Sequence, residues 1–357
     1  MKHFNETIIQ TIREQAASIE TNGKLPDDVL QYIYEHRLFK LFLPEALGGR
    51  ELSLPEAVEI FEEASQIDGS FGWLVTIGSG GDFFSAYLSE EVSAELFGPA
   101  NAVVAGSGGI TGVAKPTDGG YLVNGQWQYC SGAHHATIFT GNCRIEGNSG
   151  KKEEILSFTF LPEQVTILED WRAFGMKGTG SHSIKVQNAF VPLNRTFDLQ
   201  QAPRVSDYKI YRYPFFQFAE VSFAAVALGV AGHFLQEAFN ALEENRNRRK
   251  DASPERYEFI RKKFEEAHHR FNQVRSEFYV AVNTSWNELE TSGQLTETMQ
   301  DLVSKSSKKV ARITTGAVHE ILPYLGMAAV TETSLINRLF RDLHTVCQHT
   351  VLVSYED

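Results

Sequence analysis

Hydrophobic and polar positions change period twice along the chain. Through residues 4–98 the spacing is helical. Leu25-Pro26-Asp27-Asp28 opens a helix whose Val29, Leu30, Ile33, Leu38 and Phe39 trace an apolar face, and Leu54-Pro55-Glu56 opens another carrying Val58, Ile60, Phe61 and Ala64. Between them, Pro44 and the pair Gly48-Gly49 predict a sharp loop. Asp68-Gly-Ser-Phe-Gly-Trp73 then leads to Gly78-Ser-Gly-Gly81, four small residues that let another backbone or a ligand come close. From about residue 101 to 198 the period falls to two: residues 103–104, 121–123, 138–140, 155–160 and 183–186 are strand-like and separated by Gly, Asn and Asp turns. That pattern predicts a β-domain, barrel or sandwich, with a solvated hairpin tip at residues 151–154. From about residue 213 the helical period returns. Ser253-Pro254-Glu255 is a helix start, and Tyr257, Ile260, Phe264, Ala267, Phe271, Val274, Phe278, Ala281 and Ser285 recur in steps of three and four, a seam of about 3.5 residues typical of helical bundles. Further helices are predicted over about 297–321 and from about Ser334 to the end. The expected architecture is α+β in three domains: 1–100 helical, 101–200 β, and 201–357 a four-helix bundle.

The strand-rich stretch 119–132 reads as two strands joined by a turn at Asn124-Gly125. Alternation then puts Trp127 and Tyr129 on one face and Gln126, Gln128 and Cys130 on the other. Such a face, followed by Ser131-Gly132, suits either a plain core hairpin or the edge of a flat heteroaromatic ligand.

Charge and cysteine content narrow the classes. A net charge of -12 argues against a nucleic-acid partner. Cys130, Cys143 and Cys347 are odd in number and widely spaced, which suits a reducing cytoplasm and makes no metal motif. No signal peptide is read at the N-terminus. The apolar run 215–231 contains Gln217 and Glu220, and the expectation is a buried bundle helix with no membrane span. Neither GxGxxG nor a P-loop pattern occurs, so any reductant must come from elsewhere. Gly106-Ser-Gly-Gly109 lacks the helix a phosphate cradle needs. The pairs His134-His135 and His268-His269 point in diverging directions, and no metal site is expected. The seam and the 215–231 helix together offer more apolar surface than one bundle buries, so a homo-oligomer, dimer or tetramer, is expected.

On a helical projection of the last segment, Leu335, Leu339, Leu343, Val346 and Thr350 form an apolar stripe. Arg338, Asp342, Thr345 and His349 border it, and His344 lies opposite. His349 is then either a core histidine or a ring presented into a cleft.

Four segments, in order, resemble the acyl-CoA dehydrogenase family across nearly the whole chain: Leu41-Phe-Leu-Pro-Glu-Ala-Leu-Gly-Gly49, residues 120–132, Trp171-Arg-Ala-Phe-Gly-Met-Lys-Gly-Thr-Gly-Ser181 with Phe190-Val-Pro192, and Arg338-Leu-Phe-Arg-Asp342. The resemblance implies that fold and a flavin, FAD or FMN. It places the Ser131 hydroxyl at flavin N5 with Gly132 beside it, Trp127 and Tyr129 along the isoalloxazine, and Ser107 on the pyrimidine side.

Two departures bear on the chemistry. Where the dehydrogenases carry their catalytic glutamate, this chain reads Gln348-His349-Thr350-Val351, and Thr350 cannot serve as a base. The residues 107–120 also lack the dehydrogenase loop. Both features are similar to the reduced-flavin-dependent monooxygenases of the same fold, which implies His349 as the catalytic group, a small aromatic-like substrate and a separate flavin reductase. Many of those members carry a further His where this chain has Gly78–Gly81. Two other readings stand beside this one: an acyl-CoA dehydrogenase with its base moved to Glu220 or Glu237, and a catalytically idle flavin-binding or interaction protein.

Overall fold

The computed structural model describes residues 1–147, 154–204, 207–244, 246 and 253–355, so most of the predicted hairpin tip at 151–154 lies outside the described residues. Five helices come first: α1 Glu6–Asn22, α2 Asp27–Glu35, α3 Leu54–Ile67, α4 Gly69–Gly80 and α5 Glu90–Phe97. Helix α2 stops at Glu35, so Leu38 and Phe39 are buried from the connection that follows it, not from the helix. A capping box between Ser53 and Glu56 starts α3. The small residues after Ile77 are filled by neighbours: a Cβ on Gly78 would stand 2.3 Å from the Phe39 ring, and one on Gly81 2.5 Å from Val104.

A single seven-stranded sheet follows, ordered β5-β6-β2-β1-β3-β4-β7, with β1 Val104–Thr117, β2 Gly120–Cys130, β3 Ile138–Ile145, β4 Ile155–Phe160, β5 Thr166–Leu168, β6 His182–Pro192 and β7 Thr196–Phe197. The β1–β3 pair is parallel and the rest antiparallel. Tyr121 on β2 meets Phe158 on β4 at 5.3 Å, and Trp127 meets Phe160 at 5.4 Å. Strands so far apart in the order would be about 14 Å apart in a flat sheet, so this one curls around its own apolar core.

Asn124-Gly125 is not a turn. Strand β2 runs straight through it, and the hairpin closes instead at Thr117–Gly120, where Gly119 has φ +73°. The pair sits at a bulge against β6, and Asn124 and Asn188 exchange hydrogen bonds there of 3.1 and 2.9 Å. Ser107 likewise lies on a bulge of β1, its Oγ accepting from Gly109 N at 3.4 Å; Gly106–Gly109 is therefore irregular strand.

The C-terminal helices are α6 Phe215–Glu244, α7 Pro254–Ser292, α8 Glu297–Ile321 and α9 Leu335–Cys347. Helix α6 is long and apolar enough to cross a membrane, yet 89% of its most apolar window is buried in the protein, where it packs on α3, α4, α7, α8 and α9. Every residue of the α7 seam is buried within this one chain. The surface on which an oligomer was expected is therefore already covered, and that argument for assembly falls.

Candidate active site

Strand β2 ends in a second bulge, between Trp127 and Cys130, and Tyr129 takes φ +66°. The left-handed backbone breaks the alternation, so Trp127 and Tyr129 do not share a face. Trp127 is wholly buried in the sheet core together with Cys130, its Nε1 donating to Asn142 O at 3.1 Å. Tyr129 is 66% exposed and meets the half-buried Trp171 edge to face at 6.2 Å. Of the two aromatics expected along a ligand, only Tyr129 has a free face.

Ser131 follows at the strand end, buried, and belongs to a chain of hydroxyls with a fixed direction. Trp73 Nε1 donates to Ser131 Oγ at 2.9 Å. At the other end, Thr179 Oγ1 donates its proton to Met176 O at 2.7 Å. Thr179 must then accept from Ser181 (2.6 Å), and Ser181 from Ser131 (2.7 Å), because each hydroxyl has one proton. Ser131 thus has its proton committed and a lone pair to offer. Gly132, φ +78°, donates its N–H to Thr179 O, and a Cβ there would stand 2.9 Å from His135 Nε2. Burial holds the pKa of His135 down at about 4, and its ring stacks on Phe39.

On the other side of Trp73, its indole packs against Phe223 of α6 at 4.7 Å and against His349 at 6.0 Å; Phe223 and His349 meet at 4.6 Å. Helix α9 ends at Cys347, so His349 is not on its border, as the helical projection had it. It caps a short 3-10 turn, Thr350–Leu352, with Nδ1 accepting from Val351 N at 3.4 Å. Burial depresses its pKa to about 4, so the ring is neutral near pH 7. With Nδ1 accepting, the proton resides on Nε2. His344, expected to face away, is half-buried: Nδ1 donates to Phe340 O at 2.8 Å and Nε2 lies 2.7 Å from His319 Nε2. No hydrogen bond or ring contact joins His344 or Ser107 to the Ser131–Trp73–His349 group among the described residues.

Beyond Tyr129 a cleft of about 640 Å³ is lined by Trp171, His134, His182, Lys24, Arg172 and Lys177. The Met176–Ser181 loop between this cleft and Ser131 is held from α9: Asp342 Oδ1 accepts from Met176 N at 2.5 Å, and Met176 itself is left-handed at φ +54°. Burial, aided by the charge of Asp68, raises the Asp342 pKa to about 7. A carboxyl with a raised folded-state pKa binds more protons folded than unfolded between pH ~4 and ~7, so its contribution to stability falls as pH rises through that window. Asp342→Asn removes this dependence. The thermal midpoint of the variant is expected to gain on wild type between pH 5 and pH 8; an unchanged difference would show that Asp342 does not titrate there.

The residues missed by sequence reasoning are Thr179, Ser181 and Phe223, with Asp342 as the tether and Trp73 as the junction. The acyl-CoA dehydrogenase N-terminal domain matches residues 2–100 and the acyl-CoA dehydrogenase C-terminal domain residues 221–354. The indole-3-acetate monooxygenase of Pseudomonas putida is 26% identical over 358 residues, spanning 99% of this chain and 91% of that one. The oxygenase subunit HsaA, a flavin-dependent monooxygenase of Rhodococcus jostii, is 28% identical over 55% of this chain and 51% of its own. Among solved structures, XiaF from Streptomyces in complex with FADH2 and glycerol superposes with a TM-score of 0.87 at 20% identity, covering 97% of this chain and 89% of XiaF. With both terminal domains matched and the whole backbone superposable, this chain belongs to the acyl-CoA dehydrogenase family.

Proposed function

We propose that this chain is the oxygenase component of a two-component flavin monooxygenase acting on small aromatic substrates, with reduced FMN or FAD delivered by a separate reductase. The observation that carries it is the fixed direction of the Trp73–Ser131–Ser181–Thr179 chain. A Ser131 that offers only a lone pair accepts from a ring N–H, which a reduced flavin has at N5 and an oxidised one lacks. Tyr129 and the Gly132 backbone suit the edge of the ring, and Lys24, Arg172 and Lys177 in the adjoining cleft suit its phosphate. Reduced flavin, when bound, supplies the electrons that let one atom of dioxygen enter the substrate.

The chain's own groups do the rest. Phe223 and Trp73 give a substrate ring an apolar wall, and His349 holds a proton on Nε2 at that wall. No carboxylate stands at position 349 or 350, so the proton abstraction that begins thioester dehydrogenation has no base at the register where the family's dehydrogenases carry it. The test mixes the protein with chemically reduced FMN or FAD, oxygen, and phenol or indole, and expects hydroxylated product together with tighter binding of reduced than of oxidised flavin. Ser131→Ala is expected to weaken reduced-flavin binding by about 0.5–1.5 kcal/mol, one hydrogen bond. Bleaching of bound oxidised flavin by acyl-CoA thioesters would overturn the reading in favour of a dehydrogenase, and failure to bind any flavin in favour of an interaction protein.

A further inference from the structure

One face of α6 runs from solvent into this site. Phe216 (55% exposed), the half-buried Ala219, Glu220 and Phe223 are spaced i, i+3, i+4 and i+7, which puts them on one stripe. Phe223 ends the stripe against Trp73 and His349. One turn nearer the solvent, Glu220 has no exposed surface at all. Its Oε2 accepts from Ser304 Oγ of α8, which in turn accepts from Gln217 Nε2 at 3.5 Å. Its Oε1 makes no hydrogen bond, and the Lys308 ammonium of α8 stands 3.5 Å away on a side chain 31% exposed. The other buried hydroxyls nearby do not supply the missing donor, since Tyr213 pairs with Ser285 and Ser285 donates to Val282 O.

A buried carboxylate oxygen left without a donor is costly, and such groups are retained where a ligand completes them. Resting on the monooxygenase reading, we propose that Glu220 Oε1 anchors the substrate by accepting from a phenolic O–H or a heteroaromatic N–H, in the groove between α6 and α8. Residues one turn apart on a helix face are separated by about 5–6 Å, the span of a single aromatic ring. A ring whose donor reaches Glu220 therefore lies along Phe223 with its far edge at Trp73 and His349. The same geometry disfavours a long acyl chain, which has no donor to give this oxygen. Glu220 would be a specificity residue for the substrate end away from the reacting carbon.

The experiment measures equilibrium binding of phenol and indole against anisole and N-methylindole, whose methyl groups remove the donor, on the full-length protein. Wild type is expected to prefer each donor-bearing ligand by about 10–100-fold, the worth of one hydrogen bond to a charged acceptor. Glu220→Met should abolish that preference while melting near wild type, because a buried charge gives way to an apolar side chain of similar size. Ser304→Ala, which leaves Glu220 free of its serine, should keep or sharpen it. Equal binding of the paired ligands by wild type, or a preference that survives Glu220→Met or vanishes in Ser304→Ala, overturns the anchor. Flavin binding followed in the same samples keeps the two readings apart: ligand preference without flavin binding sinks the monooxygenase and spares the anchor. Reduction of bound flavin by octanoyl-CoA in wild type but not in Glu220→Gln would make Glu220 a base and overturn the anchor outright.

Discussion

Replacing His349 by alanine is expected to cut product formation by about 10²–10⁴-fold, the span seen when an enzyme loses a placed acid, base or donor. Flavin binding and the thermal midpoint should stay close to wild type, because the ring makes one weak backbone hydrogen bond and otherwise only aromatic contacts. With a pKa near 4 the imidazole does not change charge between about pH 5.5 and 8, and its tautomer offers an N–H toward the Phe223–Trp73 wall. His349→Gln, which can also donate, should therefore recover part of the lost rate, and the shape of the pH profile should be the same in wild type and in this variant. A wild-type inflection near pH 6.5 that disappears in His349→Gln would show that the group titrates in turnover and acts as a base. His344→Ala is the control. It loses contacts with His319 and Phe340 on the side of α9 away from Trp73, so its rate should be near wild type.

What the sequence made legible follows from physical range. The seam of α7, its Ser253 cap and the extent of α8 were readable because helix period and capping are local properties. The strands were legible for the same reason, and their order was not. His349 was placed near a cleft by a helix that ends two residues before it; the ring reaches the site from a turn that no periodicity encodes. The hydroxyl chain from Trp73 to Thr179 joins three stretches far apart in the sequence. Ser131 was found through resemblance, whereas Ser181 and Thr179 sit in a quoted motif without any signal that their side chains meet it.

Asn124-Gly125 shows how one residue can carry two meanings. An Asn-Gly pair between β-formers is a strong turn signal because glycine accepts positive φ. Here Gly125 is needed for the absence of a side chain: a Cβ at that position would stand 2.5 Å from the Trp127 ring. Gly112 on β1 and Gly141 on β3 are each 2.4 Å from the same ring by the same measure. The indole lies in a slot floored by three glycines on three adjacent strands, and it reaches Phe160 on a fourth. Trp127 is thus a keystone of the sheet, and any effect on a ligand passes through the position of the strand end that carries Tyr129 and Ser131.

Trp127→Ala is accordingly expected to cost about 3–5 kcal/mol of folding stability, the range for removing a large buried aromatic. Ser131→Ala, a few residues on, should cost far less. Gly141→Ala should itself destabilise by about 1–3 kcal/mol through overpacking against the indole. The decisive measurement is the double variant. If the slot exists for the ring, Gly141→Ala in a Trp127→Leu background should cost much less than in wild type, since the smaller side chain leaves room for the new methyl group. The two changes would then be strongly non-additive in denaturant unfolding. Additive costs would mean that glycine at 141 answers a backbone requirement unrelated to Trp127, and the keystone account of the sheet would fail with them.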